Sequence, residues 1–118
     1  MKKNIIQTKS FEFAIHIVKT YKTIISEEKE YVLSKQLLRS GTSIGANISE
    51  AVRAQSSKDF IHKLQISRKE ANETLYWLNL MQETDLLSLE LSKKLIFLCE
   101  ELLKILTAII KTTEIQIR

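Results

Sequence analysis

The residues of this 118-residue chain whose types could carry chemistry are few: two histidines, one cysteine, several serines and a pair of glutamates three apart. A carboxylate-bridged di-iron centre in a helical bundle needs two Glu-x-x-His pairs and two further inward glutamates. The chain offers Asp59-x-x-His62 once, and His16 is preceded three residues earlier by Phe13, not by an acid. Glu70 and Glu73 add carboxylates, but the second histidine ligand is missing, so no metal is expected. One cysteine and two histidines are also a poor set for zinc. Ser43, Ser49 and Ser67 lack the context of a nucleophile elbow, and neither histidine has an evident acid to orient it. Glu70 and Glu73 share a helix face and could do acid–base work, yet a structural ion pair with Arg39 is the expected use. Cys99 lies in an apolar run and reads as an inert core thiol. Tyr76 and Trp77 could stack on bases, but beside Leu80 and Met81 at helical spacing they read as core or interface residues. No catalytic residue and no cofactor are expected.

What remains is positive charge. The net charge is +4, from 18 Lys and Arg against 14 Asp and Glu. It is unevenly placed, because residues 1–69 hold 13 basic against 6 acidic side chains (+7) and residues 70–118 hold 5 against 8 (−3). Lys9, Lys19, Lys22, Arg39, Arg53, Lys58, Lys63, Arg68 and Lys69 form the cationic set, of which Arg53, Lys58 and Lys63 flank one turn. Arg53, Lys58, Lys63, Lys19 and Lys22 are the expected nucleic-acid-binding residues. The competing use of the same residues is solvation of helix faces. Repetition of the turn cluster around the axis of a ring would multiply the local potential.

The elements that position these residues are helices. Proline is absent and glycine occurs only at 41 and 45, which disfavours a sheet joined by tight turns. The length is that of one domain, 1–118. The first helix is predicted from a start between Asn4 and Ser10 to about Ile25. It carries one stripe of Phe11, Ala14, Val18, Tyr21 and Ile25 and a second of Ile6, Phe13, Ile17 and Ile24. Ser26-Glu27-Glu28-Lys29 is the first connection. A second helix is predicted over Glu30–Ala54, with Leu33, Leu37, Ile44, Ile48 and Ala51 inward. A third runs from a Ser56 cap to Glu83, with Phe60, Leu64, Ala71, Leu75 and Leu78 as its apolar series. Asp85 or Ser88 caps a fourth, from Leu89 to Thr113.

Two antiparallel helices turning near residue 56 bring together positions whose numbers sum to about 111, since both rise by the same ~1.5 Å per residue. Arg39 then lies beside Glu70 to Glu73, Gly45 faces the region of Ile66, and Asn47 faces Leu64. Gly41, Gly45 and Asn47 are accordingly the expected points of close approach between the second and third helices. Glycine in a helix interior costs about 1 kcal/mol relative to alanine, and close packing is the compensation. The fourth helix carries Leu91, Leu95, Leu98, Leu102, Ile105 and Ile109 on one side and Ile96, Phe97, Cys99, Leu103, Leu106 and Ile110 on others. The run Leu95–Cys99 cannot all enter one core, so part of this surface is expected to meet another subunit.

A single cysteine forbids an intrachain disulfide and fits a reducing cytoplasm. The start, MKKNIIQTKSF, has no apolar stretch of a secretory signal, and Glu100, Glu101 and Lys104 interrupt the most apolar segment, 95–110, so no membrane span is expected.

The run Arg39-Ser40-Gly41-Thr42-Ser43-Ile44-Gly45-Ala46-Asn47 resembles that of the small bacterial four-helix-bundle proteins encoded by intervening sequences in 23S rRNA genes. So do Glu50-Ala51, Asp59-Phe60, Lys69-Glu70-Ala71, Glu73-Thr74 and Trp77-Leu78, with Lys9–Ala14 leading in and Lys104-Ile105-Leu106 closing. Those proteins in turn resemble the accessory variability protein of diversity-generating retroelements. The resemblance implies an all-α, antiparallel up-down-up-down four-helix bundle that forms a homo-oligomer, with the retroelement relative pointing to a pentameric ring. It implies no defined activity. A non-enzymatic protein that holds RNA or a nucleoprotein is the expectation; a scaffold contacting only proteins is the alternative. No small-molecule substrate and no membrane partner are expected.

Overall fold

A computed structural model describes the backbone of residues 2–117 and the side chains of residues 5–117. Four helices run α1 (Lys2–Thr23), α2 (Leu33–Val52), α3 (Ser57–Glu83) and α4 (Leu89–Gln116), and no strand occurs among the described residues. They form an antiparallel bundle measuring 49 × 21 × 20 Å.

Each boundary has a local cause. Ser56 adopts an extended backbone and its hydroxyl accepts from the Asp59 N–H at 3.1 Å, which starts α3. Ser88 does the same for α4 through the Leu91 N–H, also at 3.1 Å. Asp85 is not the cap; it takes a left-handed backbone (φ 61°) in the turn. The sequence predicts the polar run Ser26-Glu27-Glu28-Lys29 as the first connection. Instead α1 widens into a π-helical turn over Ile24–Glu28, buries Ile24, and reverses at Lys29 (φ 55°). α2 therefore begins at Leu33, three residues later than its sequence pattern predicts.

The core is built from one stripe per helix. On α1 it is Ile6, Phe13, Ile17 and Ile24, with Ser10 and Thr20 at the intervening positions. The parallel stripe Ala14, Val18, Tyr21 and Ile25 is only half-buried, and Phe11 is exposed. α3 buries Ile61, Leu64, Ser67, Ala71, Thr74, Leu78 and Met81, leaving Phe60 and Leu75 half-buried. α4 buries Ser92, Leu95, Cys99, Leu102, Leu106 and Ile110, a series of three- and four-residue steps. This differs from the predicted side, because Leu91, Leu98, Ile105 and Ile109 flank the seam rather than fill it. Within the run 95–99 only Leu95 and Cys99 point fully inward, and Phe97 points to solvent.

Hydroxyls interleave with the apolar side chains, and each has a partner. Ser67 donates to the Ile44 carbonyl at 2.8 Å, and the Ser40 and Thr74 hydroxyls share a hydrogen bond at 2.9 Å. Among the described residues, no buried side-chain nitrogen or oxygen lacks a partner. These small side chains let α2 and α3 approach, and that pair is the most extensively packed, whereas α1 and α4 pack far less extensively.

The glycines serve a different interface from the one expected. A Cβ on Gly41 would stand 2.8 Å from Ile17 Cγ1, and one on Gly45 would stand 3.3 Å from the Ser10 carbonyl oxygen. Both neighbours belong to α1. The reason is angular: with 100° per residue, positions 41 and 45 lie on the α1 side of α2, while 40, 44 and 47 turn toward α3. Asn47 is half-buried, and its amide donates to the Ser43 carbonyl of its own helix at 2.8 Å.

Candidate nucleic-acid interface

The α2–α3 turn forms where Val52 ends a helix and Ser56 caps the next, so the cations on either side of it emerge at one end of the bundle. Arg53 closes α2 with its N–H on the Glu50 carbonyl (3.0 Å), and its side chain is exposed. Lys58, in the first turn of α3, is exposed as well. Lys63 differs: its ammonium lies 2.9 Å from Glu50 Oε1. The hydrogen bond to Glu50, and then the charge of that carboxylate, raise the Lys63 pKa above the ordinary lysine value. Two of the three cations at this turn thus face solvent, and the third meets an acid of its own chain.

Lys19 and Lys22 are exposed on α1 but do not join that cluster. Ile6 shares a cleft with Ile48, Val52 and Phe60, so the α1 N-terminal half is the one beside the turn. Lys19 is 13 residues further along the helix, about 20 Å up its axis. The five expected nucleic-acid-binding residues therefore occupy two separate regions. Lys9 is not free either, with its ammonium 3.3 Å from Glu101 Oε1 across α1 and α4.

Arg39 lies between two acids of α3. Its Nη1 is 3.1 Å from Glu70 Oε1, and its Nη2 bonds Glu73 Oε2. Glu73 also accepts from the Trp77 indole N–H at 3.4 Å, and the Trp77 and Tyr76 rings pack edge to face with centroids 5.1 Å apart. This is a chain of side chains across the α2–α3 face with both carboxylates engaged. Surface pairs of this kind contribute roughly 0–1 kcal/mol each.

His16 lines a narrow cleft of about 60 Å³ between α1 and α4 with Lys9, Glu12 and Glu101, while His62 is exposed on α3. Among the described residues no group of three or more His, Cys, Asp or Glu side chains is placed to hold a metal ion. Cys99 is buried with its thiol 3.3 Å from the Ala71 carbonyl. Burial, reinforced by the charge of Glu100, pushes its pKa up to about 12. Among the described residues no helix is long and apolar enough to cross a membrane.

Two features were missed by the sequence reading. Glu30 is not the first helical residue; its carboxylate accepts from the N–H groups of Val32, Leu33 and Ser34 at 3.0, 2.9 and 2.8 Å, while its carbonyl takes the Ser34 hydroxyl at 2.7 Å. No capping box of the Ser/Thr-x-x-Glu kind marks this start in the sequence. The second is a groove of about 850 Å³ between α1 and α2, walled by Phe11 and Ile15 over Gly45 and Ala46. The spacing of the small residues predicts a helix contact and does not distinguish the part of the strip that stays open.

An antiparallel four-helix bundle with a closely packed second and third helix and a glycine-relieved first contact defines the class. The chain belongs to the family of the 23S rRNA-intervening sequence protein, whose family model matches residues 2–108. It is similar to a crystal structure of a protein with unknown function from the S23 ribosomal protein family of Bacteroides thetaiotaomicron VPI-5482. The two are 53% identical, the match covers 94% of this chain and 99% of that one, and the TM-score is 0.92. Comparison with curated proteins finds no match.

Proposed function

We propose that this chain is a non-enzymatic, homo-oligomeric bundle that holds RNA or a nucleoprotein by backbone electrostatics, in the cytoplasm. The observation that carries the reading is the exposed pair Arg53 and Lys58 at the α2–α3 turn. Phosphate recognition of this kind needs accessible cations and little else. The excess of positive charge in residues 1–69 and the family's link to 23S rRNA genes support it. Oligomerisation, as a five-membered ring on the strength of the resemblance, would repeat the turn around an axis and raise the potential there. A lone, buried thiol suits a reducing compartment.

The test is retention of structured RNA on the immobilised protein as salt is raised. Retention that falls steeply with salt is the expected result; no retention at low salt removes the reading. A protein-only scaffold is the second reading, favoured by the exposed Phe11, Tyr76 and Phe97 and by the ion pairs that occupy Lys9, Arg39 and Lys63. A partner that stays bound through nuclease treatment distinguishes it.

A further inference from the structure

The outward face of α3 differs in kind from those of its neighbours. Lys58, His62, Gln65, Lys69, Asn72 and Tyr76 recur at alternating steps of four and three, and all are exposed. At 100° per residue they stand opposite the buried Leu64, Ser67, Ala71 and Thr74. The stripe is about 27 Å long and contains no acid. It begins at the α2–α3 turn, where Arg53 is also exposed, and ends on the Tyr76 ring, which is 61% exposed. That ring packs edge to face with Trp77, whose indole is tied to Glu73, so it is held in place before anything stacks on it. The other helices show mixed faces to solvent. α1 exposes Ile5, Phe11 and Ile15 with Glu12, α2 exposes Ala46 and Ser49 with Glu50, and α4 intersperses glutamates among its lysines.

The charges flanking the stripe leave it basic. On its α2 side stand Asp59, Glu70 and Glu73 of α3 itself. Glu70 and Glu73 are both engaged by Arg39, and Asp59 acts with Glu50 on Lys63. On its other side lies α4, whose α1 side is marked by the Glu101 pair with Lys9. The side of α4 turned away from that pair carries Lys93, Lys104 and Lys111 against Glu100 and Glu114, all exposed.

We propose that single-stranded RNA lies along this face of α3, from the α2–α3 turn to Tyr76. Lys58, His62 and Lys69 meet phosphates, Gln65 and Asn72 meet base edges, and an unpaired base stacks on Tyr76. This rests on the RNA-binding reading above and extends its contact from two cations at one turn to the length of a helix. Lysines alone hold a backbone of any form, whereas amides and an aromatic ring engage bases. A duplex keeps its base faces inside the stack and offers Tyr76 nothing to stack on, so unpaired RNA is the form that fits. A protein partner would need an apolar centre to the contact, and Tyr76 supplies the one large apolar surface in the stripe.

Fluorescence anisotropy of the full chain tests it, with a labelled unpaired RNA strand and the same strand annealed to its complement. The wild type is expected to bind the unpaired strand more tightly. Tyr76→Ala is expected to weaken that binding at least about fivefold with the salt slope unchanged, and Tyr76→Phe, which keeps the ring, to restore it. Lys69→Ala is expected to weaken binding and lower the salt slope by about 1. Lys94→Ala, exposed on the Glu101 side of α4, is expected to bind as wild type does. Wild-type binding in both Tyr76→Ala and Lys69→Ala, with Arg53→Ala weakened, would overturn the α3 contact and leave the turn contact standing. Equal losses on paired and unpaired RNA in Tyr76→Ala, or no recovery in Tyr76→Phe, would overturn the single-stranded assignment. A wild-type chain that binds neither RNA at low salt removes this contact together with the RNA reading.

Discussion

Ser67 on α3 donates its hydroxyl to the carbonyl of Ile44 on α2 across 2.8 Å, with both residues fully buried. That carbonyl belongs to a helical residue, so the serine bridges the two backbones rather than two side chains. With Ser40–Thr74 toward one end and Glu50–Lys63 toward the other, it holds α2 and α3 in one register. Ser67→Ala is expected to destabilise the fold by about 1 kcal/mol, the net worth of one such bond. Ser67→Leu is expected to cost about 1–3 kcal/mol by overpacking, since the helices are too close to admit a branched side chain there. Urea unfolding of both variants checks the order.

Gly41 of α2 packs against the Ile17 side chain of α1. A Cβ at 41 would approach Ile17 Cγ1 and Cγ2 to 2.8 and 2.9 Å, atoms near the root of a fully buried side chain that cannot swing away. Gly41→Ala gains about 1 kcal/mol of helix propensity. It meets an overpacking cost of about 1–3 kcal/mol, so net destabilisation is expected. In an Ile17→Ala background the clash is gone, and the same substitution is expected to become neutral or stabilising. A double-mutant cycle read by thermal unfolding measures that sign change.

Glu30 ties the π turn to α2. Partial burial works against its charge, but hydrogen bonds from the Leu33, Ser34 and Val32 N–H groups outweigh this and lower its pKa. A carboxyl whose folded pKa is depressed stabilises the fold above its unfolded value, and that contribution is lost as pH falls through the folded value. Glu30→Gln is therefore expected to be less stable than wild type at neutral pH, and the gap is expected to close in the acid range below about pH 4.3. Glu30→Ala, which removes the cap at every pH, is expected to cost about 1 kcal/mol. Unfolding curves at several pH values separate the two.

The position of each helix was legible, because Ser56 and Ser88 announce their starts and the apolar steps of three and four do the rest. Which stripe faces inward was less so. On α1 two adjacent stripes are equally apolar, and the buried one is completed by Ser10 and Thr20, residues that hydrophobicity scores as surface. On α4 the seam runs through Ser92 and Cys99 for the same reason. Small hydroxyls and thiols qualify for the core here because helix carbonyls and neighbouring hydroxyls accept their hydrogen bonds, a condition no single-residue scale contains. The glycines show the same gap: their presence signalled a close approach, but only their angle on α2 assigned that approach to α1. Sequence proximity likewise grouped Arg53, Lys58 and Lys63, and it could not show that Glu50 reaches the last of them.

Cys99 is expected to resist alkylation in the native protein. With its pKa pushed up to about 12, almost no thiolate exists at pH 8, and burial blocks access as well. Full modification is expected only in denaturant, so labelling tracks global unfolding. The raised pKa also carries a stability consequence: folding favours the protonated thiol, and stability is expected to fall as pH rises from the unfolded thiol value of about 8.5 toward the folded one. Cys99→Ala is expected to flatten that alkaline slope in thermal melts.

If the α2–α3 turn holds phosphates, its three cations are not equivalent. Arg53 and Lys58 are exposed, so each is available to replace a condensed counterion. Arg53→Ala and Lys58→Ala are each expected to weaken RNA retention without regard to sequence and to reduce the salt slope by about 1. Lys63 must first give up Glu50, and its substitution by alanine is expected to do less. Glu50→Gln runs the other way: by releasing Lys63 and removing an acid beside the turn, it is expected to strengthen retention and steepen the slope. No effect at any of the three cations, or weaker binding in Glu50→Gln, would show that phosphate contacts lie elsewhere on the bundle.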